Sequence, residues 1–320
     1  MKARGAGIGA DTARAVNARR PGRPHEMKNR LWKAYAGVKR LPGLKSMLET
    51  DAWKNFRFKI TLLTSRRENR HFTRFLRLPT QFEALSGPVL DFLSGGGDKA
   101  ALKVAVIGCS TGAEAYSIAA VLKSRRPGME FDIHAYDIDR VCIDKARTGC
   151  YTPEEVANNE NSGPVKGAFD RFVSDTFEIA DGRYTVREDI RRHVRFDVAD
   201  VLNPELCRQA GASDMVFAQN FLFHLRRKEA AKGFKTICGL LKPRAALFIA
   251  GVDPDMLVSL TRRFDLVPCD YKALQIHEEI AMICRGWPYN YTGREPFVPS
   301  RKEWKRRYST IFFRMTGETA

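Results

Sequence analysis

A glycine-bounded turn at the start of a helix is the feature of this chain with the clearest chemical meaning. The apolar run 104–107 is followed by Gly-Cys-Ser-Thr-Gly at 108–112 and then by the helix-like run 113–122. Such a turn brings backbone N–H groups close to a ligand at a helix N-terminus, which favours electron-rich groups. A second apolar run, 131–136, ends in Asp137, where nucleotide-type sites place an acid for a ribose hydroxyl. Together the two elements predict an adenosine-containing cofactor.

The same turn admits other interpretations. It matches Gly-x-Ser-x-Gly, the nucleophile elbow of α/β-hydrolases, with Ser110 as nucleophile and Asp253 and His277 following in the right order. No glycine-rich oxyanion loop precedes the turn, however, and this hypothesis leaves Asp137 unexplained. A dehydrogenase would need the third glycine of Gly-x-Gly-x-x-Gly, which is missing. A strand–helix turn without any ligand is the remaining alternative.

The composition limits the class of protein and suggests an acidic partner. A chain of 320 residues with 44% hydrophobic residues can bury one large core, so we expect one main domain and a small accessory domain. The seven cysteines form no Cys-x-x-Cys pair, which indicates reduced thiols in a cytoplasmic protein without a zinc site. No run approaches the ~20 apolar residues of a membrane span. The net charge of +17 gathers in 1–45 and 301–307 and indicates either an acidic partner or a solvated basic face.

The alternation of apolar runs predicts an α/β fold, with a parallel sheet that has helices on both faces. We expect a disordered basic tail over 1–26, a small helical domain over 27–85, the main domain over 86–285, and a basic extension over 286–320. Residues 151–193 interrupt the alternation and predict an inserted subdomain with a strand at 182–186. Strands are predicted near 103–107, 131–136, 194–198, 214–219 and 246–250, helices near 113–124, 139–147, 227–241 and 254–263, and a final antiparallel pair at 264–268 and 276–285.

Several motifs resemble those of CheR-type methyltransferases, which use S-adenosylmethionine to methylate chemoreceptor glutamates. His-Phe-Thr-Arg-Phe-Leu-Arg-Leu-Pro at 71–79 is similar to the family's Asn-x-Thr-x-Phe-Phe-Arg-(Asp/Glu)-Pro segment. The runs at 108–117, 136–139, 145–151 and 213–225 are similar to four further family motifs, in the same order and with matching spacing. The resemblance covers about residues 65–255. It implies a Rossmann-like class I methyltransferase sheet and S-adenosylmethionine as the cofactor.

The resemblance also implies roles for individual residues. Thr73 and Arg77 are expected to contact the cofactor beside the reactive methyl, and Arg77 is also expected to serve transfer. Glu114 and Asp137 are expected to hold the adenosine and ribose hydroxyls. The remaining positions implied for cofactor binding share only their place in the family's motifs: Gly108, Gly112, the adenine-framing pair Asp200 and Val201, and Asn220 and Phe221 at the tip of a strand.

The sequence departs from the family mainly on the side of the methyl acceptor. The family's Cys-Arg is replaced by Ala218-Gln219, and its tyrosine near the acceptor is replaced by His224. The family's asparagine before Thr73 is replaced by His71. The first of the family's two acids after the glycine turn is replaced by Ala113. The cofactor side is largely retained, whereas the acceptor side has changed.

These features predict transfer of a methyl group to a carboxylate oxygen. A glutamate is ionised at neutral pH and needs no general base, only orientation, for which Arg77 is suited. His224 would instead suit a hydroxyl acceptor, because a histidine can remove that proton. We therefore expect an acidic protein substrate such as a chemoreceptor, docked by the basic segment 27–70, with neither nucleic acid nor membrane insertion. The alternatives are a small-molecule or glycan acceptor, and a degenerate module that only binds S-adenosylmethionine.

Overall fold

The computed structural model describes residues 73–95, 101–157, 166–283 and 295–315. The expected basic tail, the helical domain up to residue 72 and the expected docking segment 27–70 lie outside these residues. In chain order the strands are β1 Ala101–Ile107, β2 Glu130–Asp137, β3 Cys150–Tyr151, β4 Phe177–Ala180, β5 Arg183–Val186, β6 Val194–Val198, β7 Ser213–Gln219, β8 Leu241–Ala250, β9 Val267–Pro268 and β10 Ile311–Met315.

Helices connect most of these strands, and most bounds agree with the predicted ones to within a few residues. A π-helical turn, Leu85–Val89, lies between the first two helices, and a 3-10 turn, Leu222–His224, follows β7. The α-helices are α1 Pro79–Ala84, α2 Leu90–Ser94, α3 Ala113–Arg125, α4 Arg140–Thr148, α5 Pro153–Ala157, α6 Lys166–Thr176, α7 Glu188–Arg191, α8 Glu205–Ala210, α9 Arg227–Gly239, α10 Pro254–Arg263, α11 Ala273–Ile283 and α12 Trp304–Tyr308.

The main sheet has the strand order β6-β2-β1-β7-β8-β10-β9. The five strands from β6 to β8 are parallel, whereas β10 is antiparallel to both β8 and β9. The chain leaves β1 toward β2 and β6, and then returns to place β7 on the other side of β1. This reversal separates the connections that follow β1 and β7, and ligands of open α/β sheets bind in the crevice that results.

Alternating side chains of β1 contact two separate cores, which is why helices cover both faces of the sheet. Val104 and Val106 belong to one hydrophobic cluster, and Ala105 and Ile107 to the other. The first cluster includes residues of α3, α4 and the inserted segment, and the second includes residues of α8, α9 and α10. The predicted class I methyltransferase sheet is confirmed. The predicted insertion contains a small antiparallel sheet of order β3-β5-β4.

The predicted final antiparallel pair is wrong. Residues 276–283 lie in helix α11, and the buried side chains of that helix recur at the three- and four-residue spacing of a helical face: Ala273, Ile276, His277 and Ile280. Strand β9 instead pairs with β10, which comes from the basic extension and lies between β8 and β9. The extension expected over 286–320 therefore contributes a strand to the main sheet. Local periodicity does not reveal such a distant pairing.

The ends of β7 and β8 approach each other closely beside the crevice. The N–H of Asn220 donates to the carbonyl of Ala250 at 2.9 Å. Gly251 has a φ of +70°, and a Cβ at this position would lie only 2.6 Å from the Cα of Asn220. Two effects therefore require glycine here, namely the left-handed backbone and the neighbouring main chain.

We expect Gly251→Ala to lower the free energy of unfolding by roughly 2–4 kcal/mol, since dihedral strain and steric overlap add. Gly182→Ala is the matched control, because Gly182 has a φ of +68° but a Cβ added there would meet no atom within 4 Å. That variant should lose only about 1–2 kcal/mol. Urea denaturation of both proteins measures the difference. Equal losses would show that the approach of the two strand ends imposes no constraint.

Candidate active site

The carboxylate of Asp137 joins the ends of β1 and β2. One oxygen accepts the N–H of Ser110 at 2.7 Å, and the other accepts the N–H of Asp139 at 2.9 Å. Ser110 has a φ of +50°, and this left-handed conformation turns its N–H toward the tip of β2. The N–H groups of Gly108 and Cys109 both donate to the carbonyl of Tyr136. The glycine turn is therefore held against β2 by its backbone.

The segment that carries Thr73 and Arg77 is held over the crevice by the residues between them. Phe75 is buried, and its ring meets those of Tyr151 and Phe177 edge-on at centroid distances of 4.9 and 5.1 Å. The next N–H, that of Leu76, donates to the hydroxyl of Ser117 in α3 at 3.0 Å. These anchors hold the segment on both the inserted sheet and α3.

The third wall of the crevice follows β7. Asn220 has a φ of +58°, which turns the chain sharply at the strand end. The ring of Phe221 lies over Gly108, where a Cβ would be only 2.8 Å from the ring carbon Cδ1. His224 ends the 3-10 turn and lies against Phe223, with ring centroids 4.3 Å apart.

These walls enclose a cleft of about 330 Å³, within the size range of small-molecule sites. Polar groups from the turn after β1, from β2, from β7 and from the segment before α1 converge there with a few apolar side chains. The cleft is lined by Thr73, Arg77, Gly108, Cys109, Ser110, Glu114, Asp137, Ile138, Gln219, Asn220, Phe221, His224 and Leu225.

The cleft brings together eight of the residues expected from the sequence. They are Thr73, Arg77, Gly108, Glu114, Asp137, Asn220, Phe221 and His224. Three expected residues are absent from its lining. Gly112 faces Ala146 and Phe196, where a Cβ would lie 3.0 Å from both. The Asp200 carboxylate accepts the N–H of Leu202 at 2.8 Å, and Val201 is buried in the core beneath α9.

Sequence reasoning did not assign Gln219, Cys109, Ile138 or Leu225 to the site. Ile138 directly follows the acid at the tip of β2, and its side chain is 68% exposed. Its position next to Asp137 was a signal available in the sequence. Gln219 stands out in the sequence only as a departure from the resembled family, and nothing local indicates that it reaches the cleft.

The acidity of Glu114 is strongly perturbed. Its enclosure in the protein raises its pKa from the usual 4.5 to about 7, although the Arg77 guanidinium acts in the opposite direction. Burial therefore outweighs the attraction of the nearby cation. The carboxyl group changes its charge near neutral pH, in a position where it lines the cleft.

The hydrolase alternative finds no support in this geometry. The hydroxyl of Ser110 lies 4.0 Å from the thiol of Cys142. Nε2 of His277 instead donates to the Glu295 carbonyl, 2.9 Å away, and the His277 ring contacts the ring of Tyr308. Asp253 caps α10 by accepting two backbone N–H groups. The three side chains thus have separate structural roles, and only Ser110 lines the cleft.

The described residues contain neither a membrane-spanning helix nor a cluster of side chains suited to a metal ion. Among the described residues, no helix has the length and apolar character needed to cross a membrane. Within the same ranges, no group of three or more His, Cys, Asp or Glu side chains could hold a metal ion. The described cysteines 109, 142, 150, 207, 238 and 269 are free thiols.

Comparison with known proteins relates this cleft to a family. A family model described as "CheR methyltransferase, SAM binding domain" matches residues 71–273. The probable biofilm formation methyltransferase WspC of Pseudomonas aeruginosa is 32% identical over 186 residues, which cover 58% of this chain and 42% of that protein. Chemotaxis protein methyltransferase 2 of Vibrio cholerae is 31% identical over 183 residues, which cover 55% of this chain and 60% of that protein. The match thus spans about half the length of these curated relatives.

A solved structure also matches. It is the magnesium protoporphyrin IX methyltransferase of Synechocystis with bound SAM, at 12% identity and a TM-score of 0.33, over 67% of this chain and 82% of that chain.

The pKa of Glu114 predicts that cofactor binding depends on pH. The ionised carboxylate accepts hydrogen bonds from ligand hydroxyls and attracts a cationic ligand, and with a pKa of about 7 it is mostly protonated below that value. Titration calorimetry should show S-adenosylhomocysteine binding up to about tenfold more tightly at pH 8 than at pH 6.

Glu114→Gln should weaken binding at pH 8 and abolish this dependence. The control is Glu130→Gln, which changes an exposed carboxylate at the start of β2 and should behave as the wild type. A pH dependence that persists in Glu114→Gln would assign the titrating group to another residue.

Proposed function

The chain belongs to the CheR family of S-adenosylmethionine-dependent methyltransferases, and from this premise we propose that it methylates a carboxylate oxygen of a protein glutamate. The family assignment supports S-adenosylmethionine as the cofactor and methyl transfer as the reaction type. The chemotaxis methyltransferase named among the relatives makes a protein acceptor the first candidate. The position of Arg77 is the observation that carries the proposal toward a carboxylate.

The cleft residues fit S-adenosylmethionine. Gly108 presents backbone without a side chain, and Phe221 closes over it. Asp137 and Glu114 supply acceptors for hydroxyl and ammonium donors, while the exposed Ile138 supplies an apolar surface for an aromatic base. This combination of acids and apolar surface matches a ligand that joins an adenosyl group to a charged amino-acid group.

Arg77 is the cation that the cleft offers to an acceptor carboxylate. A guanidinium holds a carboxylate through two parallel hydrogen bonds, which fixes the angle of approach. The anchoring of Phe75 and Leu76 limits the movement of the segment that carries it. We assign Arg77 to orient the acceptor oxygen toward the methyl group.

Bound S-adenosylmethionine supplies an electrophilic methyl group. The protein then has to align the acceptor oxygen with that methyl and to exclude water, which is catalysis by proximity. A glutamate with its ordinary pKa of about 4.3 is already ionised, so no residue has to remove a proton from it. The lining of the cleft agrees with this chemistry, since it contains an orienting cation.

The proposal predicts a particular chemical product. The full-length protein, labelled S-adenosylmethionine and lysate proteins should yield protein-bound label that mild base releases as methanol, because methyl esters hydrolyse readily. Label that resists base would indicate a methyl ether or amine instead. Label found only in the small-molecule fraction would support the alternative acceptor and overturn the protein-glutamate assignment.

Arg77→Ala should lower turnover at saturating cofactor at least tenfold, or about 1.4 kcal/mol, because the lost contact orients the transition state. Ser110→Ala is the control, since it keeps the backbone N–H that Asp137 binds and removes only the hydroxyl. It should retain most of the activity. Full turnover by Arg77→Ala under saturation would show that Arg77 has only a structural role.

His224 supports a second candidate, in which the acceptor is a hydroxyl of a small molecule or glycan. Its imidazole lines the cleft and could serve as a general base, a role that contributes about 10²–10⁴-fold. For a carboxylate acceptor, His224→Phe should change turnover by much less than 10²-fold and leave the pH profile unchanged. A loss of 10² or more, together with the loss of an ascending pH limb, would favour the hydroxyl acceptor.

A further inference from the structure

The side chain of Gln219 is held in place by a buried chain of hydrogen bonds. Gln219 ends β7 and is only 6% exposed. Its Nε2 donates to Oε1 of Gln81 at 2.8 Å, and Nε2 of Gln81 donates to the hydroxyl of Thr310 at 2.6 Å. Gln81 and Thr310 are also buried. This relay connects α1 and the residue before β10 to the floor of the cleft.

The other end of the Gln219 amide has no hydrogen-bond partner among the described residues. Among the residues that the structure describes, Oε1 of Gln219 accepts no hydrogen bond although it is buried. Leaving such a carbonyl unsatisfied costs about 1–3 kcal/mol, so buried polar atoms nearly always have a partner. Gln219 lines both the main cleft and a small cavity of about 10 Å³ behind it. The Gln219 side chain therefore borders the space that a bound ligand would occupy.

The surroundings of Gln219 select which part of the cofactor lies there. Asp137 and Ile138, at the tip of β2, are the surfaces suited to the ribose and the base. Gln219 lies on the other side of β1, at the tip of β7. Glu114 and Arg77 line the same small cavity as Gln219, so a carboxyl group and a guanidinium group lie there together. The carboxyl group of Glu114 matches the ammonium of an amino-acid group, which places that end of the cofactor near Gln219.

We propose that Oε1 of Gln219 accepts a hydrogen bond from the α-ammonium group of the cofactor, and that Gln81 positions Gln219 for this contact. The proposal rests on the placement of the cofactor under the proposed function. The ammonium group of the amino-acid moiety is its N–H donor, and the carbonyl oxygen is an acceptor of matching polarity. The nearby carboxyl group of Glu114 adds to the attraction when ionised.

This contact distinguishes the chain from the family that it resembles. The resembled motif has arginine where this chain has Gln219. A guanidinium carries five donors and no acceptor, so it cannot accept a hydrogen bond from an ammonium group. A glutamine at this position can accept a hydrogen bond through its carbonyl oxygen, where an arginine could only donate. It also removes a positive charge from the end of β7.

The test compares three ligands in calorimetric titrations of the full-length protein. S-adenosylhomocysteine carries both charged groups, its decarboxylated analogue keeps only the ammonium, and 5′-methylthioadenosine lacks both. Gln219→Met, which is similar in shape but has no amide, should bind the first two at least tenfold more weakly. It should bind 5′-methylthioadenosine within about twofold of the wild type, because that ligand makes no contact with the amide.

Two further variants separate the contact from general damage. Thr176→Val is the matched control, since Thr176 Oγ1 is also buried without a partner among the described residues but lies in α6, outside the cleft lining. It should bind all three ligands as the wild type does. Gln81→Met should reproduce part of the loss for the two ammonium ligands only, because the amide is then no longer held.

Three results would overturn the proposal. An unchanged affinity of Gln219→Met for the decarboxylated analogue would show that the amide contacts the carboxylate instead. An equal loss for 5′-methylthioadenosine would show that Gln219 shapes the adenosyl site or the fold. Failure of the wild-type protein to bind S-adenosylhomocysteine would refute the cofactor placement itself, which separates that failure from an error about Gln219.

Discussion

The site depends on one carboxylate that serves two strand ends. Asp137 accepts the N–H of Ser110 with one oxygen and that of Asp139 with the other. Backbone N–H groups at these positions have no partner within a strand or helix, and a charged acceptor forms stronger hydrogen bonds to them than a neutral one. The arrangement fixes the glycine turn relative to β2 before any ligand binds. The floor of the cleft is consequently part of the fold.

A second constraint connects the inserted sheet to the walls of the cleft. Tyr151 opens that sheet, and its hydroxyl donates to the carbonyl of Thr111 in the glycine turn at 2.6 Å. The same ring meets Phe75 edge-on, so one aromatic residue contacts both the cofactor turn and the segment that carries Arg77. Aromatic pairs of this kind contribute about 0.5–1.5 kcal/mol beyond the area they bury. The insertion therefore supports the site by contacting both the glycine turn and the segment that carries Arg77.

Sequence patterns predicted the parts of the fold that are encoded locally. The strands β1 and β7 are mostly apolar, whereas β2 and β6 alternate apolar with polar residues, and all four have bounds within a residue or two of the predicted ones. The apolar character of residues 276–285 suggests a strand, although the buried positions of α11 follow a helical spacing. The pairing of β10 with β8 could not be predicted, because the two strands are far apart in the chain.

In the site, too, some residues could be predicted from local sequence patterns and others depend on contacts between distant parts of the chain. Glu114, Asp137 and Asn220 each follow a predicted strand, and the carboxyl ends of parallel strands meet at one edge of the sheet. Their convergence could thus be expected. Gln219 differs, because its role depends on Gln81 from α1 and Thr310 from the segment before β10. A relay assembled from three distant parts of the chain has no signature in any one of them.

The charges of Arg77 and Glu114 and the neutrality of Gln219 can be understood from the change of charge during the proposed reaction. In the proposed reaction a sulfonium and a carboxylate become a thioether and an ester, so one positive and one negative charge disappear. Exclusion of water from the cleft favours that change, since water solvates the two charged reactants better than the uncharged products. The protein's own charges must then hold the cofactor without opposing the transfer. Arg77 and Glu114 form one pair of opposite sign when Glu114 is ionised, and burial raises the pKa of Glu114 to about 7, so about half of it is ionised at neutral pH. Because Gln219 adds hydrogen-bonding capacity without a charge, this site can bind a cationic ligand without the repulsion that an arginine at the end of β7 would cause.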